Sequence, residues 1–183
     1  MRRHCIHFLS VIAAVLFLLH FASCQKADHL YSRMPARFTM ENIFQAPVLN
    51  TACRSMGQFC TITAKGGQFY FESTNGQSSV PITGGYVYDG FYLGLSGFIV
   101  GLPEIPEMGK DISEVVCFDL ACSNCYQDYG YAKPLQLKEN GKAGCKSCGR
   151  NYNLNDLGRT DEGRALFRYR VSLIGNTLVI ANN

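Results

Sequence analysis

With 183 residues, of which 47% are hydrophobic and 17% charged, the chain has enough apolar material for one folded domain and lacks the composition of a disordered protein. Its 17 Lys and Arg against 14 Asp and Glu give a net charge of +3, which becomes +1 without residues 1–24, since these contain Arg2 and Arg3. A nearly neutral domain lacks the clustered positive charge that binds phosphate backbones, so no nucleic-acid partner is expected.

The first 23 residues have the pattern of a secretory signal peptide. Arg2 and Arg3 precede the apolar run from Phe8 to Ala22, which is short for a helix that crosses a bilayer. The run ends in Phe21-Ala22-Ser23-Cys24, which is similar to the lipobox of bacterial lipoproteins, where the cysteine is acylated and becomes the new N-terminus. Ordinary cleavage nearby, with Cys24 there by chance, is the alternative.

A lipoprotein of this kind would lie in the bacterial cell envelope, on its periplasmic or surface face. Acyl chains on Cys24 would hold it at the membrane, because several chains on one residue bind a bilayer stably. Residues 24–35 are mixed, polar and without periodicity, and they are predicted to be the lipidated tether. The folded domain is predicted to span residues 36–183.

Segments rich in β-branched and aromatic residues recur along this domain, separated by Gly, Pro, Asn or Asp. The predicted strands span residues 36–43, 58–63, 68–72, 86–88, 91–100, 112–120, 135–138, 151–154, 166–174 and 177–181. Gly- and Asn-containing turns are predicted at residues 65–67, 74–76, 139–141 and 175–176. No segment has sustained helical periodicity, so the sequence predicts an all-β fold, an antiparallel multi-stranded barrel or sandwich.

The chain contains nine cysteines, and four of them form two C-x-x-C units. Cys122 and Cys125 are separated from Cys145 and Cys148 by nineteen residues, a spacing typical of four-thiolate zinc sites. Both units follow predicted strands, so two hairpin loops are expected to direct four sulfurs at one metal ion within a metal subdomain at about residues 115–183.

Two other interpretations of these four cysteines fit the sequence less well. Disulfide pairing suits an exported protein, but a bridge within C-x-x-C would strain the short loop. A thioredoxin-like dithiol usually precedes a helix that lowers the thiol pKa, and no helix is predicted after either unit. The metal site is therefore the favoured prediction.

The second unit opens a longer motif. Cys145-Lys-Ser-Cys148-Gly149-Arg-Asn-Tyr152 is followed by Gly158, Gly163 and the strand-like segments 166–171 and 175–180. This order resembles the C-terminal half of Rieske iron–sulfur domains, in which a C-x-x-H-G unit is followed by an aromatic residue, a glycine turn and two closing strands. Residues 115–122 are similar to the strand that leads into the family's first ligand loop, C-x-H.

The resemblance is specific over residues 112–183, and before them it rests on the β pattern and on a general likeness to exported Rieske-like lipoproteins of Bacteroidetes-type bacteria. It implies a Rieske-like β domain over residues 36–183. Cys122 and Cys145 match cysteine ligands of the family. Cys148, and Cys125 with one residue inserted, stand where the family has His.

The replacement of His changes the expected cofactor. A Rieske cluster needs two His on one iron, and the four His of this chain, at positions 4, 7, 20 and 29, all precede the domain. Four thiolates remain, which suit Zn²⁺, an all-Cys [2Fe–2S] cluster or a single iron ion. Zinc is the expected metal, and the sequence spacing does not choose among the three.

Three cysteines of the domain lie outside the two units. Cys53 and Cys60 flank Met56-Gly57 and could close a disulfide across a turn between strands, although buried free thiols fit equally well. Cys117 is predicted to face the core from the strand before the first unit.

No enzyme is predicted. The domain contains no His to act as a general base, and the pairs Glu104/Glu107 and Asp161/Glu162 lie in Pro- or Gly-rich loops, as solvated charges do. A redox carrier is the only enzyme-like alternative. Tyr126, Tyr129 and Tyr131 could cover the metal site or bind an envelope protein partner. The sequence thus predicts a membrane-anchored domain that serves binding or assembly, and an iron-containing electron carrier is the alternative.

Overall fold

The structure is a computed structural model that describes residues 31–78, 82–83 and 92–182. The predicted signal peptide, Cys24, residues 25–30 and the predicted strand at residues 86–88 lie outside these described residues. None of the helices described is both long and apolar enough to cross a bilayer.

Most of the predicted segments form strands of one antiparallel sheet. The strands are β1 (Ala36–Met40), β2 (Gln58–Lys65), β3 (Gln68–Ser73), β4 (Ile82–Thr83), β5 (Tyr92–Leu93), β6 (Phe98–Leu102), β7 (Val116–Asp119), β11 (Arg168–Ile174) and β12 (Thr177–Ala181). Their order in the sheet is β4-β3-β2-β6-β7-β11-β12-β1-β5. The sheet is curled: β5, at one end of this order, has Cα atoms within 8 Å of Cα atoms of β2, which lies near the opposite end. The predicted all-β antiparallel class is confirmed.

A second, three-stranded sheet carries the second C-x-x-C unit. It contains β8 (Gln136–Lys138), β9 (Lys142–Gly144) and β10 (Asn151–Asn153), paired antiparallel in the order β10-β9-β8. The β8–β9 turn uses Asn140 and Gly141, both with positive φ (58° and 61°), as predicted from the Asn-Gly pair. Leu137, Ala143 and Tyr152 are register partners across this sheet and pack into one hydrophobic cluster.

Some predicted strands are shorter in the structure because local turns interrupt them. The segment 36–43 ends at Met40, after which Asn42 caps a short 3-10 helix, Ile43–Gln45. The segment 91–100 is divided into β5 and β6 by a turn in which Gly94 and Gly97 have positive φ. A residue with a side chain would strain both positions, which explains the glycines.

In the described part of the chain, two α-helices occur that the sequence pattern did not predict. They are α1 (Pro47–Arg54) and α2 (Ser123–Tyr129). Helix α1 starts with proline at its first turn and buries Leu49, Ala52 and Cys53 along one face. Both helices span about two turns, and so short an apolar pattern does not establish a helical period.

The central strands β6 and β7 separate two hydrophobic cores. Phe98, Val100 and Cys117 pack into the first core, beneath α1, β1 and β12. The alternate residues, including Ile99 and Phe118, pack into the second core, which also contains Cys122, Cys125 and Cys145. Because alternate residues of a strand point to opposite faces, the candidate metal ligands and Cys117 lie on opposite sides of the sheet.

A buried carboxylate fixes the end of β7 just before the first C-x-x-C unit. Asp119 has no exposed surface and accepts hydrogen bonds from the backbone N–H groups of Leu95 and Ala121 (both 2.7 Å) and from the Tyr169 hydroxyl (2.6 Å). Burial raises the pKa of Asp119, although these hydrogen bonds oppose the increase. Asp119 thereby ties the β5–β6 turn, β7 and β11 together.

Residues 31–35, assigned to the tether from the sequence, lie against the domain. The Ser32 backbone N–H donates to the Arg168 carbonyl (2.7 Å), and the Tyr31 ring lies under the guanidinium groups of Arg168 and Arg170 (5.5 and 4.8 Å from the ring centroid). Arg168 also makes a two-pronged ion pair with Glu107 (2.9 and 3.1 Å). Glu107 is therefore bound in a structural ion pair.

Candidate metal centre

The first C-x-x-C unit lies at the start of a helix. The chain leaves β7 in an extended conformation, and Cys122 (φ −64°, ψ 113°) is the N-cap of α2. The Cys125 backbone N–H donates to the Cys122 sulfur (3.5 Å), as expected for a capping interaction that turns both side chains to one side. The predictions of a hairpin loop here and of no helix after the unit were therefore wrong.

The second unit lies in the β9–β10 hairpin, as predicted. The Cys145 backbone N–H donates to the Arg150 carbonyl, and the Gly149 N–H donates to the Cys145 carbonyl (both 2.9 Å). These bonds close a tight turn, in which Gly149 takes a positive φ of 74°.

The two units bring all four sulfurs together. The Sγ atoms of Cys122, Cys125, Cys145 and Cys148 all lie within 4.8 Å of one another. Across the two units, Sγ of Cys122 is 3.7 Å from Sγ of Cys148, and Sγ of Cys125 is 3.7 Å from Sγ of Cys145. A tetrahedral ion with metal–sulfur bonds of about 2.3 Å requires sulfur–sulfur edges of about 3.8 Å. The convergence of the four cysteines is confirmed, and the two 3.7 Å separations match this edge, so the group could hold a metal ion.

Burial differs among the four candidate ligands. Cys122, Cys125 and Cys145 are buried in the second core, whereas Cys148 is partly exposed at the edge of the site. Burial raises the pKa of both Cys122 and Cys125, because a thiolate is poorly solvated in an apolar core. Binding of a cation would offset this cost, since metal binding displaces the thiol protons.

Several hydrogen-bond donors point at the sulfurs. The Tyr152 hydroxyl lies 3.0 Å from the Cys122 sulfur. Burial alone would raise the pKa of Cys148, but hydrogen bonds from the backbone N–H and the side chain of Arg150, together with those from the neighbouring thiols, lower it to about 7. These donors stabilise negative charge on sulfur, which is what a four-thiolate site requires.

The donor set discriminates among the candidate cofactors. A Rieske cluster does not fit, because residues 31–182 contain no His. The four thiolates could hold one zinc ion, one iron ion or an all-Cys two-iron cluster, each with all four cysteines as its protein ligands.

Of the residues that the structure describes, three further cysteines, Cys53, Cys60 and Cys117, lie apart from this site. Within the described residues, the four ligands are the only group of three or more His, Cys, Asp or Glu that could share an ion. Cys117 is fully buried in the first core, as predicted. Burial, together with the nearby Asp119 carboxylate, raises its thiol pKa well above the usual value, although the charge of Arg168 opposes the increase.

The structure gives Cys53 and Cys60 as free thiols, so the disulfide considered for them is not formed. The intervening turn does not join two strands, because Cys53 lies on α1 and Cys60 in β2. Both pack among apolar side chains, and burial raises the pKa of Cys53 to about 12 and that of Cys60 well above its usual range. They therefore act as small hydrophobic residues, the alternative considered from the sequence.

Two residues beside the sulfurs were not singled out from the sequence as functional. Tyr152 appeared only as the aromatic position of the motif, and Asn124 as a spacer within the first unit. Both are buried, and the Asn124 side-chain nitrogen donates to the Tyr152 hydroxyl oxygen (2.8 Å). The sequence shows that Asn124 is an amide residue between two cysteines, and this position is the one signal that could have identified it. That the amide is buried is visible only in the fold.

Of the three tyrosines predicted to cover the metal site or to bind a partner, one packs against a neighbouring ring and two are exposed. Tyr126 packs edge-on against Phe167 (ring centroids 5.9 Å apart). Tyr129 and Tyr131 are 64% and 54% exposed and stack on each other, with the Lys133 amine 4.9 Å from the Tyr131 ring centroid. Tyr129 and Tyr131 thus form an exposed aromatic pair next to α2.

No protein-family model and no curated protein matches this chain. Its function is therefore inferred from the site itself.

Proposed function

We propose that this protein is an exported, lipid-anchored β domain in which one zinc ion, bound by Cys122, Cys125, Cys145 and Cys148, has a structural role, and that the domain serves binding or assembly in the bacterial cell envelope. The observation that carries the proposal is the convergence of four sulfurs within 4.8 Å from two distant segments. Thiolate sets of this kind and geometry are typical of structural zinc.

A structural role is supported by the way the site is closed. Four protein ligands complete a tetrahedron, so no coordination position remains for water or substrate. The ligands join the start of α2 to the β9–β10 hairpin, and the small sheet that carries the hairpin has only a few buried apolar residues of its own. Small units with little core generally need such a cross-link.

A binding role is supported by the exposed aromatic pair. Tyr129 and Tyr131 stack with ring centroids 6.0 Å apart and ring planes inclined by 26°, on the surface at the end of the metal-binding helix. Tyrosine at such positions offers a large, rigid contact area with a polar tip, which is common at the centre of protein interfaces. An envelope protein is the partner that we propose for this surface.

The metal itself is tested by elemental analysis of the full chain purified without oxygen. We expect about one zinc per chain and a colourless protein, because a closed four-thiolate site binds one ion. One iron per chain, or two irons with two sulfides, and a red-brown colour would instead identify the electron carrier, since four thiolates suit both of these centres. Absence of any bound metal would contradict both.

Lipid anchoring is tested by the Cys24→Ala variant. We expect the wild-type chain to fractionate with membranes and to begin at an acylated Cys24. The Cys24→Ala variant should leave the membrane fraction, because the acyl chains are the proposed anchor. The check is fractionation combined with mass spectrometry of the N-terminus. An unmodified N-terminus beyond residue 24 in the membrane-bound protein would contradict the proposal.

A further inference from the structure

A directed chain of hydrogen bonds leads from a surface loop to one of the metal ligands. It begins at the backbone of Arg164, passes through the side chain of Asn124 and the hydroxyl of Tyr152, and ends at the Cys122 sulfur. Asn124 and Tyr152 are 3% and 0% exposed, so water does not compete for these bonds.

The backbone of Arg164 fixes the orientation of the Asn124 amide. The Arg164 N–H, which can only donate, lies 3.1 Å from the Asn124 oxygen. The Arg164 carbonyl, which can only accept, lies 3.2 Å from the Asn124 nitrogen. A flipped amide would face a donor with a donor and an acceptor with an acceptor, so only one orientation is satisfied.

This orientation in turn fixes the Tyr152 hydroxyl. The Asn124 nitrogen carries only hydrogens, so at 2.8 Å it donates to the Tyr152 oxygen. The hydroxyl hydrogen is then free to point at the Cys122 sulfur, 3.0 Å away. Without Asn124 this donor is lost, and the hydroxyl hydrogen is no longer directed toward the sulfur, because a hydroxyl rotates to suit its partners.

We infer that Asn124 is a positioning residue for the metal site, which holds the Tyr152 hydroxyl so that its hydrogen is donated to the Cys122 sulfur. This inference rests on the proposed metal site and goes beyond it by assigning a role to a residue that does not touch the metal. Gly163 leaves room for the Asn124 side chain, since a Cβ at residue 163 would lie 2.5 Å from the Asn124 oxygen.

The test uses the full chain loaded with Co²⁺, whose thiolate charge-transfer band reports the electron density on sulfur. Tyr152→Phe should weaken Co²⁺ affinity about 10- to 100-fold, as loss of an outer-shell hydrogen bond typically does, and move the band to lower energy. Asn124→Leu, nearly the same size but apolar, should move both quantities in the same direction. In the Tyr152→Phe background, Asn124→Leu should produce no further change, because its effect passes through the hydroxyl.

Asp128→Ala is the matched control. Asp128, also on α2, accepts a hydrogen bond from the Arg164 side chain (2.9 Å) rather than from its backbone, so its loss loosens the same loop, keeps the Asn124 bonds and should leave the band in place. If Asn124→Leu fails to fold, Asn124→Asp keeps the bond to the Arg164 N–H, and the effect of its charge is measured separately in the Tyr152→Phe background.

Two results would overturn this inference while leaving the proposed metal site intact. One is an unshifted charge-transfer band in Asn124→Leu, and the other is an equal loss of Co²⁺ affinity from Asn124→Leu in the wild-type and Tyr152→Phe backgrounds. Either would mean that Asn124 only packs the loop against α2. A wild-type chain that binds no Co²⁺ would overturn the proposed metal site and the inference with it, and is therefore distinguishable from failure of the inference alone.

Discussion

Replacing any one of Cys122, Cys125, Cys145 or Cys148 with Ser is expected to remove the metal under chelator competition and to lower thermal stability at the same time. The two effects should coincide because the metal binds the folded chain and cross-links two segments that are distant in sequence. Metal at about 1,000 times its dissociation constant stabilises a fold by about 4 kcal/mol. At roughly 2–4 °C per kcal/mol for a domain of this size, its loss should lower Tm by about 8–16 °C.

Cys117→Ser is the control for this series, since Cys117 is equally buried but faces the opposite core. It should keep the metal, and its Tm should fall by the same amount with and without chelator, because an uncompensated hydroxyl destabilises both forms. Chelation of the wild-type chain gives the same comparison without a substitution. Retention of metal by Cys125→Ser or Cys148→Ser would mean that the sulfur of that residue is not a ligand and would contradict the four-thiolate site.

Asp119→Ala is expected to have the second large effect, on the fold rather than on the metal. It leaves the N–H groups of Leu95 and Ala121 and the hydroxyl of Tyr169 without their acceptor. A buried donor without a partner costs about 1–3 kcal/mol, and relief of the buried carboxylate offsets part of the sum, so we expect a loss of about 3 kcal/mol. Denaturant unfolding measures this value.

The comparison variants make this prediction specific. Asp119→Asn keeps one acceptor oxygen and should lose less stability than Asp119→Ala. Asp156→Ala removes a half-exposed carboxylate that only pairs with Arg159, and should change stability by less than about 0.5 kcal/mol. Equal stability of Asp119→Ala and wild type would show that the hydrogen bonds to Asp119 do not stabilise the end of β7.

The strands could be predicted from local pattern alone, because a half-buried strand alternates over a few residues and ends at a turn residue. Strand β12, Thr177–Ala181, has the predicted bounds, and the Asn140-Gly141 and Gly66-Gly67 turns occur where the sequence placed them. Helix α2 could not be predicted in the same way. It is only seven residues long, and it forms because Cys122 caps it and Tyr126 packs against Phe167 from a distant segment.

By itself, the sequence determined the antiparallel β class and the four cysteines of the site, because strand alternation and C-x-x-C spacing are local properties of the chain. Only the tertiary structure decided how those cysteines are used. The side of β7 that each residue faces separates Cys117 from the site, and the packing of Arg164 over α2 orients Asn124 and, through it, Tyr152. These relations join residues 28 to 40 positions apart, so no local pattern in the chain encodes them.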